Sequence, residues 1–366
     1  MLAPTTTAAA APAPDLRQPP KASPGDRVAV LSPSFAAPGF APAVHEQAMR
    51  RLEEATGLVP VEYPTTRQVG ADPRARAHDL EAAFTDLSIR AVLASVGGDD
   101  QITVTPHLDP AVVRADPKPF LGYSDNTHLL HWLAGPGVAG FYGGSTQVHR
   151  GPGPGLDDVH VRSLRAALIE GGALELTDPG ESEDLVHDWL DPRALTEHGD
   201  REPTAPWSWH GPETAVSGPT WGGCLEVVEQ VLAAGRMGRP PSSLRGHVLL
   251  LETSEELPDA GAVSRMLRNL GERGILGEIA GVLAARPPVS SFEDRPDPAE
   301  RERRREAQRE AIVDVVTRYN PGAVVCVGVP FGHTRPQWIV PYGGTVTLDG
   351  VTRRVSADYG PAAAAS

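Results

Sequence analysis

The apolar positions of the chain fall into short runs that end at turn residues and alternate with stretches of helical spacing. Arg27-Val-Ala-Val-Leu runs into Ser32-Pro33-Ser34, the pattern of a buried strand closed by a turn. Behind it, apolar positions from Val44 through Met49 to Leu52 share one helical face. Ile89–Val96 predicts a further strand that stops at Gly97-Gly98, and Lys118–Tyr123 a shorter one that stops at Ser124. Strands alternating with helices require an α/β fold with a doubly wound parallel sheet, which assigns residues 24–150 to a first domain. The pattern resumes near Thr220, with apolar runs at Gly246–Glu252, Ile279–Ala284 and Ala323–Val329 and a closing hairpin over Gly344–Arg354. Residues 220–366 are therefore expected to form a second α/β domain. No internal repeat is evident.

Three stretches break this rhythm. Residues 1–23 are rich in Ala, Pro and Thr and offer too little apolar surface to offset ordering entropy, so a disordered leader is expected. Residues 151–219 are rich in Gly, Pro, Asp and Glu, and read as a connecting segment with an excursion over a site. Ala299–Glu310 alternates basic and acidic residues at helical spacing, the mark of a solvated, ion-paired helix face.

Composition narrows the function classes. At 366 residues the chain exceeds one ordinary core, and a net charge of -14 disfavours a nucleic-acid backbone or an anionic membrane as main partner. No apolar run is long enough for a membrane helix, and the N-terminus lacks the basic and apolar regions of a signal peptide; a cytoplasmic location is expected. The two cysteines, Cys224 and Cys326, stand outside any CxxC pattern and suit a reducing compartment. Cys326, inside Ala-Val-Val-Cys-Val-Gly-Val, reads as an inert core thiol.

Candidate chemistry gathers at the ends of the apolar runs. In Phe120-Leu-Gly-Tyr-Ser124-Asp-Asn-Thr a short strand meets a serine, and a helical pattern through Leu129, Leu130 and Leu133 starts within a turn of it. A sharp strand-to-helix turn lifts a nucleophilic Oγ clear of the backbone, and Gly122 gives that turn room. Ser124 equally suits a simple helix cap. Gly97-Gly98 can turn backbone N–H groups towards an oxyanion, or can serve only as a turn. His128 and His131 are carried away by their helix, and neither HExxH nor a Cys/His cluster supports a metal. His333 follows the strand Val324–Val329 on a loop, where catalytic groups are usually held. Glu252 ends the very apolar Val248-Leu-Leu-Leu-Glu, and calls for a partner unless it faces water at an edge.

Taken together, Gly-Gly-Asp-Asp, Gly-Tyr-Ser-Asp-Asn-Thr, Leu-Leu-Glu and Gly-His-Thr-Arg-Pro, with Trp221-Gly-Gly-Cys-Leu-Glu, resemble the LD-carboxypeptidases of serine peptidase family S66. The resemblance runs from Gly25 to the terminal strands. It implies an N-terminal domain like class I glutamine amidotransferases and a C-terminal swivelling β/α domain. It further implies a Ser124–Glu252–His333 triad, backbone oxyanion donors at Gly98 and Asp125, and no metal or cofactor. Asp99 stands where murein-cleaving members carry an aromatic residue, and Cys224 where the family has Asn. The Asp is more like the microcin C immunity branch, which cleaves the amide of peptidyl or aminoacyl nucleotides. A small peptide or peptidyl-nucleotide substrate is thus expected, with release of a D-amino acid from murein tetrapeptide as the alternative. An inactive binding protein of the same fold is a further alternative. An α/β-hydrolase esterase fits less well, because Asn126 breaks Gly-x-Ser-x-Gly. Trp189, Trp207 and Trp209 lie in the connecting segment, where they either anchor it or form a lid that stacks on a planar substrate group. A homodimer is expected.

Overall fold

The computed structural model describes residues 16–362. Its first sheet has the strand order Val340–Tyr342, Gly140–Tyr142, Phe120–Gly122, Ile89–Ala94, Arg27–Leu31 and Val59–Glu62. All neighbours are parallel except Val340–Tyr342, which returns from far along the chain to pair antiparallel with Gly140–Tyr142. Four of the five residues of Arg27–Leu31 are buried, and every residue of Phe120–Gly122 is buried. That double-sided burial explains why these strands read as continuous apolar runs rather than as an alternation. The helix Pro42–Thr56 carries the predicted Val44–Leu52 face and ends at Gly57 in the left-handed conformation.

The second sheet has the order Ala173–Leu176, Arg354–Asp358, Thr345–Asp349, Ala215–Cys224, Val248–Glu252, Gly281–Ala285, Val324–Val329 and Ser208–His210. Its centre is parallel and its flanks antiparallel. Along Val248–Glu252 the side chains alternate, with Val248 and Leu250 in a core shared with the first sheet. Leu249 and Leu251 face a second core beneath the helices Ala260–Glu272 and Pro298–Tyr319. One strand thus welds two cores together.

Two expectations need correction. Part of residues 16–23 of the expected leader is packed: Ala22 is buried, and Lys21 holds its ammonium 4.5 Å from the centre of the Phe141 ring and donates to Ala167 O at 2.8 Å. Residues 1–15 lie outside the described residues. The connecting segment 151–219 contains the helix Asp158–Arg165 and supplies strands to the second sheet, because its short apolar stretches find partners far away in sequence. The charged helix carries the expected ion-paired face, with Arg303 and Arg304 both on Glu300, and its other side is also ion-paired. Arg301 and Arg305 reach inward to Glu202, Arg305 and Arg286 to Asp184, and together they clamp the connecting segment.

The parallel strands deliver their carboxyl ends to one crevice, where ligands bind in open α/β sheets. Gly97-Gly98 follows Ile89–Ala94, Ser124 follows Phe120–Gly122, Glu252 ends its strand, and His333 follows Val324–Val329.

Candidate active site

Ser124 has φ 62°, a left-handed conformation that a non-glycine residue adopts only under constraint. A 3₁₀ turn over Ser124–Asn126 leads straight into the helix Thr127–Ala134. The serine packs so closely on the neighbouring strand end that a Cβ on Gly97 would lie 2.8 Å from Ser124 Oγ. Only glycine fits at 97.

A chain of short contacts runs from this turn into the second sheet. Ser124 N donates to Tyr142 Oη at 3.2 Å, and Tyr142 Oη donates to Glu252 Oε1 at 2.5 Å. Glu252 Oε2 lies 2.6 Å from His333 Nδ1. This approach depends on Gly332, where a Cβ would sit 2.7 Å from Glu252 Oε2. The His333 loop is pinned by Gln337, which donates to Gly332 O at 2.8 Å and accepts from Gly144 N at 2.7 Å. On its other side His333 Nε2 lies 2.9 Å from Glu255 Oε2, and the Tyr123 ring packs edge-on at 4.9 Å.

Burial raises the Glu252 carboxyl above its ordinary range, against the opposing pull of His333 and the Tyr142 hydroxyl. Burial alone would lower His333, but the carboxylates of Glu252 and Glu255 outweigh it and raise the imidazole well above its ordinary value. Against the cost of its partial withdrawal from water, the His333 charge holds the Glu255 carboxyl down at about 2. Burial and the nearby carboxylates of Glu252 and Glu226 push the Cys224 thiol well up, which removes it as a nucleophile.

Ser124 and His333 open onto one cleft of about 530 Å³. Gly98, Asp99, Trp189 and Glu255 also line it, as do two exposed aromatics, Phe35 and Phe292. Trp207 and Trp209 do not; Trp209 sits opposite Cys326 on the outer strand of the second sheet, and both rings pack against the core. Asp125 turns its carboxylate away from the cleft to accept from Ser34 Oγ at 2.5 Å and Gln101 N at 2.9 Å. Beside Asp99, it is Asp100 that takes a two-pronged pair with Arg76. His128 and His131 lie away from the cleft, bonded to Gln230 and to Gly222 O. No cluster of three metal-ligating side chains occurs among the described residues, and none of their helices is long and apolar enough to cross a membrane.

Residues 28–143 match the family profile of the LD-carboxypeptidase N-terminal domain, and residues 217–348 that of the C-terminal domain. The chain belongs to the LD-carboxypeptidases, serine peptidase family S66. As a member of S66 it is a hydrolase. It is 27% identical to an inferred carboxypeptidase of Vibrio cholerae, over 90% of this chain and 94% of that one. It is 23% identical to the microcin C7 self-immunity protein MccF of Escherichia coli, over 77% of each. The structure of MccF in complex with glutamyl sulfamoyl guanosine superposes with a TM-score of 0.78 at 20% identity, covering 94% of this chain and 98% of that one. The MccF-like protein of Streptococcus pneumoniae, in complex with AMP, gives 0.76 at 24% identity, covering 92% and 99%. These neighbours share the α/β architecture of two sheets with the S66 chain.

Sequence reasoning missed Tyr142, Glu255, Phe35 and Phe292. Tyr142 ends the three-residue strand Gly140–Tyr142, too short to carry a pattern that would single it out. The two phenylalanines carried no signal in the sequence, because their exposure on one cleft exists only in the folded chain.

Proposed function

We propose that this S66 hydrolase cleaves the amide of an aminoacyl- or peptidyl-nucleotide through a Ser124–Glu252–His333 triad. The observation that carries the reading is the Glu252–His333 pair at 2.6 Å opening onto the same cleft as Ser124 on its left-handed turn. Glu252 fixes the imidazole tautomer, so that Nε2 takes the Ser124 proton as Oγ attacks the carbonyl. Backbone N–H groups at Gly98 and Asp125 receive the oxyanion, the imidazolium rests on Glu252, and its proton then goes to the leaving nitrogen. Water repeats the sequence on the acyl-enzyme.

The substrate class is supported by the cleft wall. Phe35, Trp189 and Phe292 offer flat apolar faces to a nucleobase, and Asp99 would repel the terminal carboxylate of a murein peptide. MccF structures hold glutamyl sulfamoyl guanosine and aspartyl sulfamoyl adenosine, and the same chemistry suits this cleft. Release of a D-amino acid from murein tetrapeptide is the second reading, favoured by the 28% identity to an inferred murein peptide carboxypeptidase of Bacillus subtilis. The proposal includes a cytoplasmic homodimer, which sedimentation analysis checks.

Ser124→Ala, Glu252→Gln and His333→Ala should each lower kcat by several orders of magnitude in folded protein. Because triad members act as a unit, Ser124→Ala/His333→Ala should be little worse than either single variant. Multiplicative losses would sink the triad.

A further inference from the structure

His333 is clamped between two carboxylates of very different character. Glu252, at Nδ1, has a fully buried side chain, whereas Glu255, at Nε2, is 69% exposed at the cleft. The backbone that carries Glu255 is fixed: Ser254 donates to Glu226 Oε1 through N and Oγ at 2.9 and 2.8 Å, and Leu257 N donates to Ser254 O at 3.2 Å. Only the Glu255 side chain is free to leave. An imidazole flanked by two carboxylates is favoured as imidazolium, with a proton on each nitrogen; Glu255 meets Nε2 as an ion pair at 2.9 Å and not as a directed hydrogen bond. Glu255 therefore works against Ser124 by charge: while its carboxylate stays beside Nε2 it favours the imidazolium, in which His333 has no lone pair to act as a base.

The cleft itself indicates what draws Glu255 away. Asp99, Glu255 and Glu293 line it, and among the described residues neither lysine nor arginine does; the charge of Asp184, on the same wall, is taken by Arg286 and Arg305. With His333 as the cationic group on this lining, three further carboxylates still favour a substrate that brings a positive charge of its own.

Resting on the reading of His333 as the base of Ser124, we propose that Glu255 receives a free ammonium group beside the scissile amide and thereby releases His333 Nε2 to Ser124. Glu255 is then both a specificity-determining and a positioning residue. In the substrate-free protein it holds His333 as imidazolium. When the substrate ammonium takes the carboxylate, the Nε2 proton passes to water, and the neutral ring turns its lone pair to Ser124 Oγ–H. The other groups around the ring stay in place: Glu252 on Nδ1, Tyr142 behind Glu252, the Tyr123 ring edge-on, and His149 beyond Tyr123.

The test compares an aminoacyl sulfamoyl adenosine bearing a free α-amine with its N-acetyl derivative, as kcat/KM against pH, for wild type, Glu255→Gln and Glu255→Ala. Wild type should prefer the free amine by about tenfold or more. Both variants should bring the ratio towards one and move the acid limb of the profile to lower pH. NMR titration of the His333 ring, which needs no turnover, should show its apparent pKa falling in Glu255→Ala. An unchanged ratio and an unchanged His333 titration would overturn the proposal, as would loss of all activity in folded Glu255→Gln. Ser124→Ala in the same assay keeps the two readings apart. If it is inactive while the Glu255 variants match wild type, Glu255 alone has been misread; if it retains activity, the serine has.

Discussion

Removing the Tyr142 hydroxyl probes the link between the serine turn and the acid. Tyr142→Phe deletes one oxygen and leaves the buried ring packed against Tyr123 and Phe331. Two buried groups then lose a partner, Glu252 Oε1 at 2.5 Å and Ser124 N at 3.2 Å. A hydrogen bond to a charged acceptor contributes about 1.5–3 kcal/mol, and an orphaned buried donor costs about 1–3 kcal/mol. The two losses share one hydroxyl and are not additive, so a destabilisation of about 2–4 kcal/mol is expected. With one donor fewer, the Glu252 carboxyl rises further and holds the imidazolium less firmly. If about half of the loss reaches the transition state, roughly 1–2 kcal/mol, kcat falls about 5- to 30-fold. Urea unfolding at constant m-value reads the first quantity, and turnover of an aminoacyl sulfamoyl adenosine the second. A variant with wild-type midpoint and wild-type kcat would show that the hydroxyl connects nothing.

Two other substitutions extend the argument. Gly332→Ala would put a Cβ 2.7 Å from Glu252 Oε2, so the His333 loop must shift; kcat should drop about a hundredfold while circular dichroism stays native. Asp99→Tyr should swing selectivity from the nucleotide amide towards a murein tetrapeptide by roughly ten- to a hundredfold in kcat/KM; a wild type that already prefers the tetrapeptide refutes the substrate class.

The parallel strands were legible because burial on both faces leaves unbroken apolar runs, and their closing residues marked where the chain turns back. Ser124, Glu252 and His333 stood out for that reason: each is a polar residue where an apolar run ends. The first sheet's outer strand Val340–Tyr342 was not legible, since three residues carry no period, and its partner Gly140–Tyr142 lies far away in sequence. Trp207 and Trp209 show the same limit. Their i, i+2 spacing correctly suggested an extended chain but could not show that Val324–Val329 would take up that strand. Glu255 carried no signal, because its proximity to His333 Nε2 exists only once Val248–Glu252 and Val324–Val329 share a sheet.

The late return of Val340–Tyr342 bears on how the protein is made. A ribosome adding about 5–20 residues per second exposes Gly140–Tyr142 some 10–40 s before the strand that covers it emerges. Throughout that interval the nascent sheet shows an apolar, unpaired edge, the kind of template on which neighbouring chains aggregate. The second sheet, which carries Glu252 and His333, is built in the same window, so assembly of the crevice between the strand ends and sealing of the first sheet become a single late event. A fragment that stops at the end of the N-terminal profile match would keep that edge for good. Expressing it in tractable form calls for grafting Val340–Tyr342 back by a linker, or for a circular permutant that brings the strand out first.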